Sequence, residues 1–382
     1  MRIVIAPDSF KECLEAPAVA QAIARGWARA AARDELVLMP LADGGEGTTA
    51  ALLAAAGGRL EERTVSGPLG GPLRAHFAVI DEGRTAIVEV AQASGLQGLP
   101  PERRDALRAC SYGTGELMAA ALDTGVSTLI VGLGGSACSD AGMGLLQALG
   151  AHFVDAQGHA LRGGGALNRL ASFDVGPVRQ RLQGVRLLVA SDVRNPLLGP
   201  DGCVRVFAPQ KGASADEVEQ LEAGMTHFSL LAEAQGFDIA GFPGSGAAGG
   251  IGGALGGLLG GSMVSGIEMV MEATGLASAL AQADLVISGE GSLDSQSAAG
   301  KVVAGVCRLA QQHGVPVIAL AGRLEGNLQA LYDSGLSAAF SIARGPCSRE
   351  DALRDAAVNL AHAAENLARL WHESRQSTNL TP

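Results

Sequence analysis

Five short acidic signatures are spaced along the whole chain, and most of them follow an apolar, strand-like run. They read APDSFK (6–11), LADGGEGT (41–48), GLGGSACSDAG (132–142), SDVRNP (191–196) and SGEGSLDSQSAAGK (288–301). The runs before them are Ile3-Val4-Ile5, residues 36–39, Leu129-Ile130-Val131, Leu187-Leu188-Val189 and Leu285-Val286-Ile287. A chain written this way is constrained to buried strands whose carboxyl ends carry carboxylates, hydroxyls and bare backbone. In α/β proteins those ends are where ligands collect. Glycine lets backbone N–H groups approach an anion, and carboxylates hold a divalent metal that screens it. The combination points to phosphate chemistry.

Composition narrows the classes. Glycine supplies 54 of 382 residues, about twice the usual ~7%. With no collagen-like period, that excess argues for tight connections between strands and helices. The net charge of −11 disfavours nucleic acid and anionic membrane as partners. Aromatic residues at 3% leave few platforms for stacked bases. The six cysteines show no CxxC pair, which fits a reducing, cytoplasmic setting. The seven histidines show no zinc-ligand spacing. Asp8 interrupts the short apolar start, so no signal peptide is expected.

Residues 241–267 form a 27-residue stretch without a charge, with Gly249, Gly253, Gly257 and Gly261 at GxxxG spacing. Twelve of the 27 are glycine, which lowers both apolarity and helix propensity. A glycine loop leading into a closely packed helix is expected rather than a membrane span.

The chain opens in β-α-β-α alternation: a strand at 2–6, a helix at 17–32, a strand at 35–40 and a helix at 46–56. Hairpin signals then appear, with GPLGG and DEGR separating short strands near 64–65, 75–80 and 86–90. Clean alternation returns at 284, with strands at 284–288, 315–320 and 338–342, helices at 300–313 and 326–334, and a long helix over 349–371. The expected fold class is therefore α/β in two domains. A Rossmann-like parallel-sheet domain is built from both chain ends, 1–62 and 283–382, and a mixed α/β domain, 63–282, is inserted. A cleft between them is the expected active site.

Each signature has a bland reading beside the functional one. Asp8 and Ser9 could close a turn and cap a helix, or face a ligand together with Lys11. Asp43 and Glu46 have capping-box spacing, but the surrounding glycines suggest a metal or substrate-hydroxyl site. Gly134, Gly135 and Ser136 lie between a strand and a helix, where successive N–H groups form an anion nest; Asp140 reads as structural. Asp192 and Asn195 flank a loop closed by Pro196; they are turn formers, metal ligands, or the acceptor of a hydroxyl proton. Glu290, Asp294 and Lys301 make the last group. A lysine at a helix N-terminus opposes the macrodipole and suggests an anion nearby. Residues 244–249 match GxGxxG but follow no strand, so the dinucleotide fingerprint is not met; Gly246 remains a second phosphate-approach position. No GxxxxGK[ST] and no GxSxG occurs.

With these motifs in order, the chain resembles the type I glycerate kinase family over nearly its full length, residues 207–212 included. The resemblance implies ATP- and Mg²⁺-dependent phosphorylation of D-glycerate on a two-domain α/β fold unrelated to P-loop kinases. It leans toward the 2-hydroxyl, with the 3-hydroxyl as runner-up. On this reading Lys11, Ser9 and Asp8 bind the substrate carboxylate end, and Asp43 and Glu46 order its hydroxyls. Asp192, with Lys11 and Asp43, forms the catalytic set. Gly134, Gly135, Ser136, Gly246 and Lys301 serve the nucleotide phosphates, and Asp192, Glu290 and Asp294 the metal. The partners are small molecules, D-glycerate and ATP, and homodimer formation is left open. The chain departs from the family pattern at Cys13, Ser139, Arg194 and Ser292. Outside this class stand a non-catalytic nucleotide- or anion-binding module and a dinucleotide-dependent oxidoreductase.

Overall fold

The structure is a computed structural model that describes residues 1–10, 13–294, 297 and 301–378. In chain order the strands are Arg2–Ile5 (β1), Glu35–Leu38 (β2), Arg59–Ser66 (β3), Pro72–Ile80 (β4), Thr85–Glu89 (β5), Thr128–Gly132 (β6) and His152–Val154 (β7). They continue with Ser172–Asp174 (β8), Arg186–Ala190 (β9), Ser262–Val264 (β10), Leu285–Leu293 (β11), Val317–Leu324 (β12) and Leu336–Ser341 (β13). Tertiary contacts divide the chain into two units, Met1–Asp43 with Ile267–Pro382, and Gly44–Gly266.

The first unit carries a five-stranded sheet in the order β13-β12-β11-β1-β2, parallel throughout. Its central strands are apolar runs buried on both faces, as parallel sheets require. The helix Ala16–Ala30 starts at a proline in its first turn and buries Val19, Ala20, Ile23 and Trp27, the three-and-four spacing of an apolar stripe. It packs on the C-terminal helix Ala356–Thr378. A Cβ on Gly26 would lie 2.0 Å from the Ala361 carbonyl oxygen, so glycine is what lets these helices approach. Asp34 accepts from Trp27 Nε1 and His372 Nε2, each at 2.9 Å, tying the two ends of the chain together.

The second unit carries a six-stranded sheet in the order β10-β9-β6-β5-β4-β3. Strands β10, β9, β6 and β5 are mutually parallel, while β4 and β3 continue the sheet antiparallel. The edge strand β3 is mostly exposed and half its residues are charged, a composition that discourages pairing with other chains. The helix Thr48–Ala56 packs on β4 and β5, so it belongs with this sheet although sequence alternation grouped it with the first strands. A small antiparallel β7–β8 pair carries Phe153 and Phe173, which cluster with Phe228.

The fold class read from the sequence therefore holds: α/β, with a parallel sheet drawn from both chain ends and an inserted mixed sheet. The charge-free stretch is a packed segment. Its helix Ala247–Gly253 has left-handed backbone at Ala248, Gly249 and Gly250 and runs into a π-helical turn, Ala254–Leu258. Cβ atoms at Gly249, Gly252, Gly253 and Gly257 would each fall within 2.5 Å of a backbone oxygen of another segment. Among the described residues, no helix is long and apolar enough to cross a membrane. The expected long helix over 349–371 is broken at Asp355 into Arg349–Arg354 and Ala356–Thr378.

Candidate active site

In the first unit, β1 and β11 lie side by side, and β11 runs on past the end of β1. Ser288 Oγ donates to the Ala6 carbonyl (2.8 Å) and Asp8 N–H to the Gly289 carbonyl (2.8 Å). Asp8 is thereby buried at the strand end, its carboxylate accepting from Ser9 N–H at 2.6 Å. A Cβ on Gly289 would sit 2.1 Å from the Leu320 oxygen, so this glycine is demanded by the neighbouring strand. Glu290 follows, 6% exposed. Asp294 ends the strand in a turn in which Ser297 N–H and Oγ donate to its Oδ1. Lys301, just before the helix Val302–Gln312, places Nζ 3.8 Å from Glu290 Oε2 and 3.9 Å from Asp294 Oδ1. The structure thus brings Glu290, Asp294 and Lys301 into one group. Lys11 lies outside the described residues.

Asp43 is half-buried at the end of this unit's first segment. The second unit collects its signatures at the carboxyl ends of β5, β6, β9 and β10. Here backbone packs on backbone: a Cβ on Gly132 would fall 2.6 Å from the Gly44 oxygen, and one on Gly134 2.2 Å from Gly45 Cα. Glu46 accepts a hydrogen bond from Gln97 Nε2. Gly135 takes a left-handed φ of 68° and is exposed. Its carbonyl accepts from Leu96 N–H and the Ala137 N–H donates to Ser94, each at 2.8 Å. Among the described residues, no protein acceptor takes the N–H groups of Gly134, Gly135 or Ser136. That leaves three donors in sequence for an anion.

Asp192 follows β9 and accepts from Ser265 Oγ, which follows β10, at 2.8 Å. Asn195 turns inward to the loop, donating to the Asp201 carbonyl (2.9 Å), while its own carbonyl accepts from Gly246 N–H (3.0 Å). A Cβ on Gly246 would lie 2.2 Å from the Pro196 oxygen, which accounts for that glycine by packing. Asp140 is structural: fully buried, it accepts from Ser111 N–H and Oγ and from the N–H groups of Gly142 and Gly144.

Three residues escaped the sequence reading. Glu89, at the end of β5 and 2% exposed, accepts from Thr49 N–H at 2.6 Å. Burial pushes its carboxyl above the usual range, opposed by that bond and others from Thr49 and Gly47, and Glu46 adds to the rise. A carboxylate inside the run TAIVEV was the available signal. Lys211, 3% exposed, donates to Ser136 Oγ (3.0 Å) and the Cys138 carbonyl (2.6 Å). Its signal was scarcity, since Lys11, Lys211 and Lys301 are the chain's only lysines among 28 basic residues. Ser265 had none.

The glycerate kinase family model matches residues 3–372. The chain belongs to the glycerate kinase family. It is 46% identical to a glycerate kinase of Bacillus subtilis (strain 168) over 370 residues, 96% of this chain and 97% of the relative. It is 43% identical to the glycerate 2-kinase of Escherichia coli (strain K12), again over 96% and 97% of the two chains. Among solved structures, a candidate glycerate kinase 2 from Salmonella typhimurium LT2 matches with a TM-score of 0.81 and 44% identity, over 98% and 99% of the chains. The protein is therefore an enzyme, a kinase that acts on glycerate, which sets aside the non-catalytic module and the oxidoreductase. Among the kinase's described residues, no group of three or more His, Cys, Asp or Glu side chains is placed to hold a metal ion. A divalent ion at a pair of carboxylates would draw its remaining ligands from water and substrate phosphate, as Mg²⁺ commonly does.

Proposed function

We propose that the enzyme transfers the γ-phosphoryl group of ATP to the 2-hydroxyl of D-glycerate, giving 2-phosphoglycerate and ADP. The observation that carries this reading is the Glu290–Asp294–Lys301 group at the carboxyl end of β11, in a chain of this family. Two carboxylates flanking one ammonium are hard oxygen donors already arranged around positive charge. They fit Mg²⁺, which when bound offsets the charge of the phosphates. Lys301 adds a second cation, so Glu290, Asp294 and Lys301 together neutralise and orient the transferring group, the main demand of phosphoryl transfer. The similarity to a relative named glycerate 2-kinase supports the 2-position.

The remaining roles follow from chemistry. Gly134, Gly135 and Ser136 offer N–H donors to nucleotide phosphate oxygens, with Gly246 a second approach. Ser9 and Lys11 bind the glycerate carboxylate, with Asp8 beside them, and Asp43 and Glu46 order the hydroxyls. The attacking hydroxyl oxygen bonds to the γ-phosphorus as the bond to ADP breaks, and the hydroxyl proton passes to the Asp192 carboxylate. Ser265, donating to Asp192, fixes that carboxylate's orientation. Asp192 remains an alternative metal ligand. We take each contact-defined unit as a domain, and the free thiols support a reducing, cytoplasmic setting.

The test is ADP release with D-glycerate, with and without Mg²⁺. Turnover should need both ATP and the ion. Full activity in the presence of excess EDTA would contradict the nucleotide–metal reading.

A further inference from the structure

Lys211 is a buried cation that forms no ion pair among the described residues. Its Nζ donates to Ser136 Oγ and to the Cys138 carbonyl, and among the described residues no carboxylate oxygen lies within ion-pair distance of it. Burying an unpaired ammonium is costly, and the chain builds a dedicated scaffold to do it. The turn Pro209–Lys211 ends at Gly212, whose φ is 96° and whose Cβ would fall 2.6 Å from the Arg104 oxygen. Arg104 in turn donates to the Gln210 carbonyl at 3.0 Å. A lysine that only filled space would be replaceable by an uncharged chain, without these restraints.

The chemistry of the contact has a direction. An ammonium has donors and no acceptor, so Ser136 Oγ must accept from Lys211. Its own proton is then available to another partner, and no protein group among the described residues takes it. The N–H groups of Gly134, Gly135 and Ser136 are available on the same loop. We propose that Lys211 is a positioning residue for phosphoryl transfer: its buried ammonium holds the Ser136 hydroxyl as an outward donor to a phosphate oxygen of the nucleotide. This rests on the reading of Gly134–Gly135–Ser136 as a nucleotide-phosphate loop.

Burial pushes the lysine below its usual range, while Cys138, Cys203 and Asp140 act in the opposite direction. The two thiols are themselves pushed up by burial, Cys203 to about 12. When Lys211 loses its proton, the neutral amine can accept from Ser136, and the outward donor is lost.

The experiment is steady-state kinetics of the full chain with Mg·ATP and D-glycerate, together with melting temperatures. Ser136→Ala should raise KM for ATP about tenfold, the scale of a hydrogen bond to a charged group, with KM for glycerate unchanged. Lys211→Met should reproduce that rise, and the double variant should add little to either. In the parent, KM for ATP should climb at alkaline pH, and Ser136→Ala should not show that climb. A folded Lys211→Met with parental KM for ATP would overturn the role of Lys211 while the loop reading stood. No change in Ser136→Ala would overturn both. If Lys211→Met fails to fold, the pH profiles decide: the same alkaline climb in the parent and in Ser136→Ala refutes the proposal.

Discussion

Lys301 lies within 4 Å of both Glu290 and Asp294, and the chemistry of the three is electrostatic. Glu290→Gln and Asp294→Asn keep side-chain size and remove charge. Each should lower kcat by about two orders of magnitude or more, the scale of lost transition-state stabilisation, with an unchanged melting temperature. Near-parental turnover in both would remove them from the chemistry. Glu89 makes a different prediction, about stability. Burial raises its folded-state pKa, so its favourable contribution is complete below the ordinary carboxyl value of about 4.3 and is lost as pH rises through the raised folded value. Glu89→Gln retains an acceptor for Thr49 N–H and cannot titrate. Its stability relative to the parent, read by denaturant unfolding, should increase with pH across that window and then level. A pH-independent difference would show that Glu89 does not titrate with folding.

At the scale of elements, glycine does two jobs that the sequence does not separate. The signature glycines and Gly246 looked like places where backbone meets a ligand, and the glycines after it like helix packing. The structure shows backbone meeting backbone at Gly132, Gly134, Gly246 and Gly249, while Gly135 stays exposed with its N–H available. Gly134→Ala should therefore cost about 1–3 kcal/mol through overpacking, seen as a lower melting temperature. Gly98→Ala, with nothing within 4 Å of the new methyl, should leave it unchanged. Equal losses in the two would contradict the packing account. The alternation of β1, β2, β11, β12 and β13 with helices was legible because their strands are continuous apolar runs. Strand β3 begins at Arg59, earlier than its sequence suggested, because an exposed charged edge carries no apolar pattern. Lys211 and Glu89 carried only faint sequence signals for the same kind of reason. Their significance lies in burial and in partners 75 and 40 residues away, which no local spacing encodes.

At the scale of the whole molecule, the return of the chain to its first sheet was legible from the change of pattern near residues 67 and 284. Contacts divide the chain at Asp43/Gly44 and Gly266/Ile267, while the change of sequence pattern lies farther along the chain at both junctions. A helix such as Thr48–Ala56 looks the same in sequence whichever sheet it packs against. The chain is a kinase that acts on glycerate, and the position of the new phosphate is the central claim. The direct measurement is phosphorus NMR of the product formed from ATP, Mg²⁺ and D-glycerate by the purified chain. The account predicts the resonance of 2-phosphoglycerate, growing in step with ADP. A 3-phosphoglycerate resonance alone would contradict it.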